Sequence, residues 1–287
     1  LERGISRWLF GKGVRVLCVL QLFYMWAAGV IRPAVPCRTA FGTVMRCGTR
    51  DLIPRTIRFF GIFEPNLTYY TLRRLRACDV YVDIGAHVGY YSLLASRVVG
   101  DGGKVIAVEA NPDTFAALSA NLALNDSGNV EARNIAATAT ACRVQTWRGD
   151  PKNSGSNRIV VGASGVDGLP LRDILGLDLP RSHFIKIDIE GSEAPVLGQI
   201  LEALDELPAR LTVACEISPE SAALVARFVA AGFHAYAMPN QYRIEHYLIR
   251  AYRERLGYPN EIDIRPVDAY LPGFGDYVFE RDERAHG

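Results

Sequence analysis

Two short apolar runs of the sequence each carry a carboxylate at or near their end. Val80–Ile84 is interrupted only by Asp83 and leads into Gly85-Ala86-His87-Val88-Gly89, and Lys104–Glu109 closes on Glu109. A carboxylate at the end of a buried strand costs free energy unless something pairs with it, and a ligand could be that partner of Asp83. Glycines at 85 and 89 let the backbone approach such a ligand with no Cβ in the way. A dinucleotide fingerprint, G-x-G-x-x-G, sets its middle glycine against a pyrophosphate, and a phosphate loop ends in Gly-Lys-Ser/Thr. Here the spacing is Asp83-x-Gly85-x-x-x-Gly89, so neither pattern is met. That spacing suits a ligand with a nucleoside and an amino acid but no phosphate. Glu109, at the end of the next strand, can accept hydrogen bonds from both ribose hydroxyls. The combination points to S-adenosylmethionine (SAM); the plain alternative is a structural glycine turn with two solvated carboxylates.

A second group follows later in the chain. Lys186, Asp188 and Glu190 alternate along and just past Phe184–Ile189, and Glu193 opens the next helix. Alternation puts 186, 188 and 190 on one side where the strand is regular. A lysine buried beside two carboxylates is expensive unless they pair, and such groups in a cleft are candidates for function. For Lys186 a structural ion pair tying this strand to its neighbours is the competing reading. Glu216, at the end of Leu211–Ile217, could complete an acidic patch over a methyl donor. Methyl transfer from SAM needs the acceptor held about 3 Å from the methyl carbon and in line with the C–S bond. A hydroxyl acceptor also needs a base. Asp188 or Glu190 is the candidate, with His87 behind them. Asp188, Glu190 and Glu216 could instead bind a divalent cation, but Lys186 would compete with it, so no metal site is assigned.

These residues need strands that end together. Strand and helix patterns alternate: strands at Val80–Ile84, Lys104–Glu109, Val130–Asn134, Phe184–Ile189, Leu211–Ile217, Phe233–Met238 and Tyr277–Glu280, helices at Tyr90–Val99, Pro112–Leu124, Ala194–Leu204 and Glu220–Ala231. Asn111-Pro112-Asp113 is a strong helix start, with Asn as cap, Pro in the first turn and Asp in the positive first turn. Arg143–Val161 reads as a two-stranded excursion around a polar loop at 149–157, Leu171–Leu175 as a short helix, and Tyr242–Leu256 as another helix. Such alternation predicts an α/β fold with a mostly parallel sheet covered on both faces.

With 287 residues, 49% of them hydrophobic, the chain has room for one sizeable α/β domain over 41–287 and an N-terminal helical extension over 1–40. A formal net charge of +1 gives no case for nucleic acid as a partner. Six scattered cysteines without a CxxC or Cys/His cluster suggest neither zinc nor a disulfide framework, and fit reduced thiols in a cytoplasmic setting. Val16–Ile31 is uncharged and apolar with basic flanks. It is short for a membrane span, which wants about 18 or more residues. Membrane association through 13–31, as an interfacial helix, stands against packing on the catalytic domain or a second subunit.

The chain resembles the FkbM family of SAM-dependent methyltransferases. The matching stretches are Asp-Ile-Gly-Ala-His-Val-Gly-Tyr-Tyr-Ser (83–92), Val-Glu-Ala-Asn-Pro (108–112), Asn121-x-x-x-Asn125, Asn134-Ile-Ala136 and, most specifically, Phe-Ile-Lys-Ile-Asp-Ile-Glu-Gly-Ser-Glu (184–193). The resemblance implies the class I (Rossmann-like) fold with a seven-stranded sheet. It implies SAM as cofactor, held by Asp83, Gly85, Gly89 and Glu109, with Asn134 and Ala136 beside the adenine. His87 stands where the family usually has Asn, and could still donate a hydrogen bond to the methionine part. Leu171-Arg172 stands where the family often has Leu-Asp. The family implies O-methylation of a small-molecule or glycan acceptor such as a sugar, glycolipid or natural product. The 148–158 loop and the tyrosine-rich C-terminal region are expected to shape its pocket. Two other readings are a NAD or nucleotide-sugar enzyme, which the missing middle glycine disfavours, and a SAM-binding scaffold or sensor without catalysis.

Overall fold

A computed structural model of the chain describes residues 33–147, 158–162, 164–189, 191–239, 247, 262–273 and 275–282, together with 20 and 23. It opens with an antiparallel hairpin, β1 (Val35–Arg38) and β2 (Val44–Cys47). Helix α1 (Leu52–Phe60) is capped by the Asp51 side chain, which accepts from the Ile53 amide, and stopped by left-handed Gly61. Helix α2 (Pro65–Arg74) starts with Pro in its first turn.

The α/β core follows as β3 (Val80–Ile84), α3 (Tyr90–Val99), β4 (Lys104–Val108), α4 (Pro112–Leu122) and β5 (Val130–Arg133). Next come β6 (Ala136–Ala137), β7 (Cys142–Trp147), β8 (Arg158–Val161), β9 (Val166–Leu169) and α5 (Leu171–Leu175). The chain then returns to the core with β10 (Ser182–Ile187), α6 (Glu193–Glu202), β11 (Leu211–Glu216), α7 (Ala223–Ala230), β12 (His234–Met238), β13 (Arg265–Val267) and β14 (Asp276–Arg281).

The main sheet has the order β13-β12-β14-β11-β10-β3-β4-β5. From β11 to β5 the strands run parallel, whereas β14 lies antiparallel between β11 and β12. The chain builds outward from β3 in one direction through β4 and β5, then restarts on its other side with β10. Ligands of open α/β sheets bind at the carboxyl ends of the strands beside such a reversal. Here β3 and β10 meet with Asp83 opposite Lys186.

Alternation along the strands divides the core. Val80, Val82 and Ile84 of β3 join Ile185 and Ile187 of β10 in one cluster, closed by α5, α6 and α7. Tyr81 and Phe184 point to the opposite face and pack with residues of α1, α2 and α3. Asp83 and Lys186 share the parity of Tyr81 and Phe184, so they face the three N-terminal helices.

The class I α/β architecture is present, and the sheet carries one strand more than the seven expected. The extra strand, β13, pairs antiparallel with β12 at the edge. It is three residues long and centred on Pro266, which lacks an amide to donate and is tolerated only at an edge. The excursion β7–β8 pairs as expected, and β6 and β9 extend it to a four-stranded sheet of its own. The helix expected over Glu220–Ala231 begins as a 3-10 turn at Pro219–Ser221. The loop at 149–157, Glu190, and nearly all of the segments 13–31 and 242–256 lie outside the described residues. Among the described residues no helix is long and apolar enough to cross a membrane.

Candidate active site

The strand reversal holds a buried ion cluster. Lys186, 4% exposed, donates from Nζ to Asp188 Oδ2 at 3.0 Å and lies 3.9 Å from Asp83 Oδ1. Its ammonium also sits 4.9 Å from the centroid of the Tyr91 ring. Burial works against the charge on Lys186, but Asp188, Asp83 and Glu64 outweigh it and hold the ammonium pKa above its ordinary value. Asp83, 1% exposed, accepts from Ser92 Oγ at 2.6 Å through Oδ2. Its Oδ1 has no hydrogen-bond donor among the described residues. Burial pushes the Asp83 carboxyl up, against the opposing pull of Lys186 and the Ser92 hydroxyl.

β10 ends at Ile187, so the expected alternation stops before Asp188. The Asp188 amide donates to Ile84 O at 2.9 Å, which ties the loop to β3, and the side chain turns back to Lys186 while remaining 43% exposed. Glu193, in the first turn of α6, holds this loop from the other side. Its carboxylate accepts from the Gly191 amide at 3.0 Å and the Ile189 amide at 3.3 Å. Glu190 lies outside the described residues.

A cavity of about 330 Å³ opens beside this cluster, with Lys186, Asp188, Glu216 and Asp276 at its sheet side and Glu64 among the apolar residues of the N-terminal helices. Glu64 and Asp276 have no sequence signal of their own. Glu64 sits in a left-handed turn at φ 41° before α2 and accepts from Tyr91 OH at 2.9 Å. Asp276 opens β14 directly across from Glu216. Its Oδ2 is fully buried with no hydrogen-bond partner among the described residues. Burial, reinforced by Glu64, Asp188 and Glu216, pushes Asp276 far above the carboxylate range. Burial also raises Glu216.

On the other side of β3 the glycine turn meets the end of β4. The Gly85 and Ala86 amides both donate to Val108 O at 2.9 Å. His87 adopts φ 50°, which aims its amide at Glu109 Oε2 at 2.9 Å, while the Asn111 amide donates to Oε1 at 2.8 Å. Burial pushes Glu109 up to about 6 despite these two donors. Burial also lowers the His87 imidazole, against the pull of Asp51 and Asp188. Asn134 braces the turn by donating to Glu109 O at 2.8 Å and Ala110 O at 3.2 Å. Ala136 follows in β6, buried and paired with Gly168.

The two glycines carry a physical role beyond leaving room for a ligand. A Cβ on Gly85, at φ 83°, would lie 1.9 Å from the Asp188 carbonyl oxygen, so this glycine lets β3 and β10 close on each other. A Cβ on Gly89, at φ 89°, would lie 2.6 Å from Leu118 Cδ1, at the packing of α3 on α4. The asparagine pair of the sequence docks the N-terminal hairpin. Asn121 accepts from the Arg46 amide and donates to Val88 O, both at 2.8 Å. Asn125 accepts from the Val44 amide at 2.8 Å and donates to Val44 O at 2.7 Å.

The structure therefore brings Asp83, Gly85, His87, Gly89, Glu109 and Asn134 around one turn, with Lys186 of β10 and Asp188 just past its end against it. Asp83 and Glu109 are the two buried carboxylates beside this turn. Each carboxylate oxygen of Glu109 accepts one backbone amide and keeps a lone pair for a hydroxyl donor. Among the described residues, no group of three or more His, Cys, Asp and Glu side chains is arranged to hold a metal ion.

Among solved structures, the chain is similar to a SAM-dependent O-methyltransferase from Thermotoga maritima, with 14% identity over 89% of this chain and 80% of that one and a TM-score of 0.44. It is also similar to precorrin-6y C5,15-methyltransferase from Geobacter metallireducens, with 15% identity over 75% and 88% of the two chains and a TM-score of 0.40. No curated protein matches the chain significantly. Residues 83–258, from the Asp83 turn through the Lys186 strand and beyond, match the family model for the methyltransferase FkbM domain. That match covers more than half of the 287 residues, and the chain belongs to the FkbM methyltransferase family.

Proposed function

We infer that the chain is a SAM-dependent O-methyltransferase whose acceptor brings a hydroxyl to Asp188. One observation carries this reading: the buried Lys186 joins Asp83, on the cofactor side of the strand reversal, to Asp188, on the edge of the 330 Å³ cavity. The acceptor and the cofactor would then meet across a single ion cluster.

Asp83, Gly85, His87, Gly89 and Glu109 would hold the cofactor. The free lone pairs of Glu109 suit the two ribose hydroxyls, and Asp83 Oδ1 is an acceptor without a donor among the described residues. Asn134 and Ala136 would lie beside the adenine. When bound, SAM supplies a methyl group on a sulfonium that is already a good leaving group.

The protein's own residues orient the acceptor and take a proton. Asp188 is 43% exposed at the cavity and receives the Lys186 ammonium at 3.0 Å, which fixes its direction. An ionised carboxylate within hydrogen-bond reach of a hydroxyl can accept its proton as attack proceeds. Glu193 acts through the Ile189 and Gly191 amides and positions Asp188. Glu190 is the second candidate base.

The experiment is turnover of labelled SAM by Asp188→Asn across a panel of hydroxyl acceptors. Loss of a general base lowers kcat by about 10²–10⁴-fold, with S-adenosylhomocysteine affinity unchanged. Undiminished turnover removes Asp188 as the base. Calorimetry with S-adenosylhomocysteine and then NAD tests the cofactor class, with binding of the first and none of the second expected.

A further inference from the structure

The acceptor cavity is unusual in its charge. Glu64, Asp188, Glu216 and Asp276 line it, and Lys186 is the one basic side chain among its described lining residues. That ammonium is already directed at Asp188 and Asp83. Glu216 and Asp276 stand directly opposite each other on antiparallel β11 and β14, where like charges repel. Asp276 Oδ2 is fully buried and receives no hydrogen bond among the described residues. A buried acceptor atom without a donor costs about 1–3 kcal/mol, and more when charged, so this end of the cavity is short of donors.

We propose that this cavity binds a protonated amine of the acceptor, between Glu216 and Asp276, so that the substrate class is a hydroxyl compound carrying an ammonium group, such as an amino sugar. The inference rests on the methyltransferase reading for the adjacent hydroxyl and on the cavity alone for the amine. An ammonium brings three donors and a positive charge to a site with two unrelieved carboxyls. A neutral hydroxyl brings one donor and leaves the repulsion in place. Burial raises the Asp276 carboxyl, and an ammonium beside it would supply the compensating charge. The cavity volume of about 330 Å³ is at the small end of ligand pockets and accommodates a monosaccharide. Leu52, Ile53, Phe63 and Leu67 give the cavity an apolar wall, and charge pairing beside apolar surface is stronger than in open water.

The test is calorimetric titration of the full chain, saturated with S-adenosylhomocysteine, with D-glucosamine and with D-glucose. S-adenosylhomocysteine has no sulfonium, so the preference reads the cavity rather than the cofactor's charge. Glucosamine is expected to bind at least tenfold more tightly. Asp276→Asn and, separately, Glu216→Gln are each expected to reduce that ratio by at least threefold while cofactor-product affinity is kept. Two variants on two strands guard against one that fails to fold. Equal binding of the two sugars, binding of neither, or a ratio unmoved in both variants overturns the proposal. A preference seen without S-adenosylhomocysteine and abolished by it also overturns it, because the cofactor's own amine would then occupy the site. If S-adenosylhomocysteine itself does not bind, the methyltransferase reading fails instead, and the glucosamine ratio without it still decides the amine.

Discussion

Replacing Lys186 with methionine separates the stabilising part of the ion cluster from its chemistry. Methionine fills most of the lysine stem but removes the ammonium. Asp188 is 43% exposed and turns to water, so its loss is screened and small. Asp83 is 1% exposed and is left with its hydrogen bonds from Ser92. Removing one partner of a buried ion pair costs about 3–5 kcal/mol. The 3.9 Å spacing is that of an ion pair without a direct hydrogen bond, so the lower end, about 3 kcal/mol, is expected at neutral pH. Asp83 binds its proton more readily folded than unfolded, since burial raises its folded pKa. Its ionisation therefore weakens the fold as pH rises from the unfolded to the folded pKa. Without Lys186 the folded pKa climbs further, so the cost of Lys186→Met is largest above that raised pKa and shrinks on acidification. Adding Asp83→Asn removes the stranded charge and is expected to recover most of the loss. Urea unfolding of the parent, the two single variants and the double variant, repeated between mildly acidic and neutral pH, measures all of this. A Lys186→Met cost below about 1 kcal/mol, a cost independent of pH, or simple additivity with Asp83→Asn would refute the coupling of these two residues.

Gly85→Ala places a Cβ 1.9 Å from the Asp188 carbonyl at φ 83°. The left-handed backbone costs about 1–2 kcal/mol and the overpacking about 1–3 more, so urea unfolding should show a loss of about 2–5 kcal/mol together with lost S-adenosylhomocysteine binding. Gly89→Ala meets the movable tip of Leu118 and should cost the backbone share alone. Asn121→Ala and Asn125→Ala each strand backbone groups of β2, at about 1–3 kcal/mol apiece, and limited proteolysis should then cut the hairpin at 35–47 before the core. Glu109 is pushed up to about 6, so its carboxylate is available to ribose hydroxyls only above that pH. Calorimetry should give a level S-adenosylhomocysteine affinity above pH 7, with a fall approaching about tenfold per unit below 6. An affinity unchanged down to pH 5 would remove Glu109 from the ribose contacts.

Several core elements are legible because their signals are local. Val80–Ile84, Tyr90–Val99 and Leu171–Leu175 coincide with the structure residue for residue. Each combines a clear period with a glycine or proline at its boundary. Asp83, Gly85, His87, Gly89 and Glu109 lie on consecutive elements, so one βαβ unit is enough to bring them together. β13 is not legible, because three residues around Pro266 carry no strand pattern and pair only at an existing edge.

Lys186 shows where local reasoning stops. Its type and the carboxylates at 188 and 190 predict pairing, but two partners are equally consistent with the spacing. Only the register of β10 on β3 places Asp83 beside it. Glu64 and Asp276 are further still from view. One precedes an ordinary proline-led helix and the other opens an ordinary strand, and neither is near the motif residues in the chain. They meet across the cavity because β14 inserts antiparallel beside β11 and the α1–α2 connection folds over its end. Chain composition and period thus specify the parallel core and its glycine turn, since hydrophobic patterning and turn chemistry act over a few residues. The acidic cavity exists only in the folded chain, since strand order and register depend on the summed burial of the whole sheet.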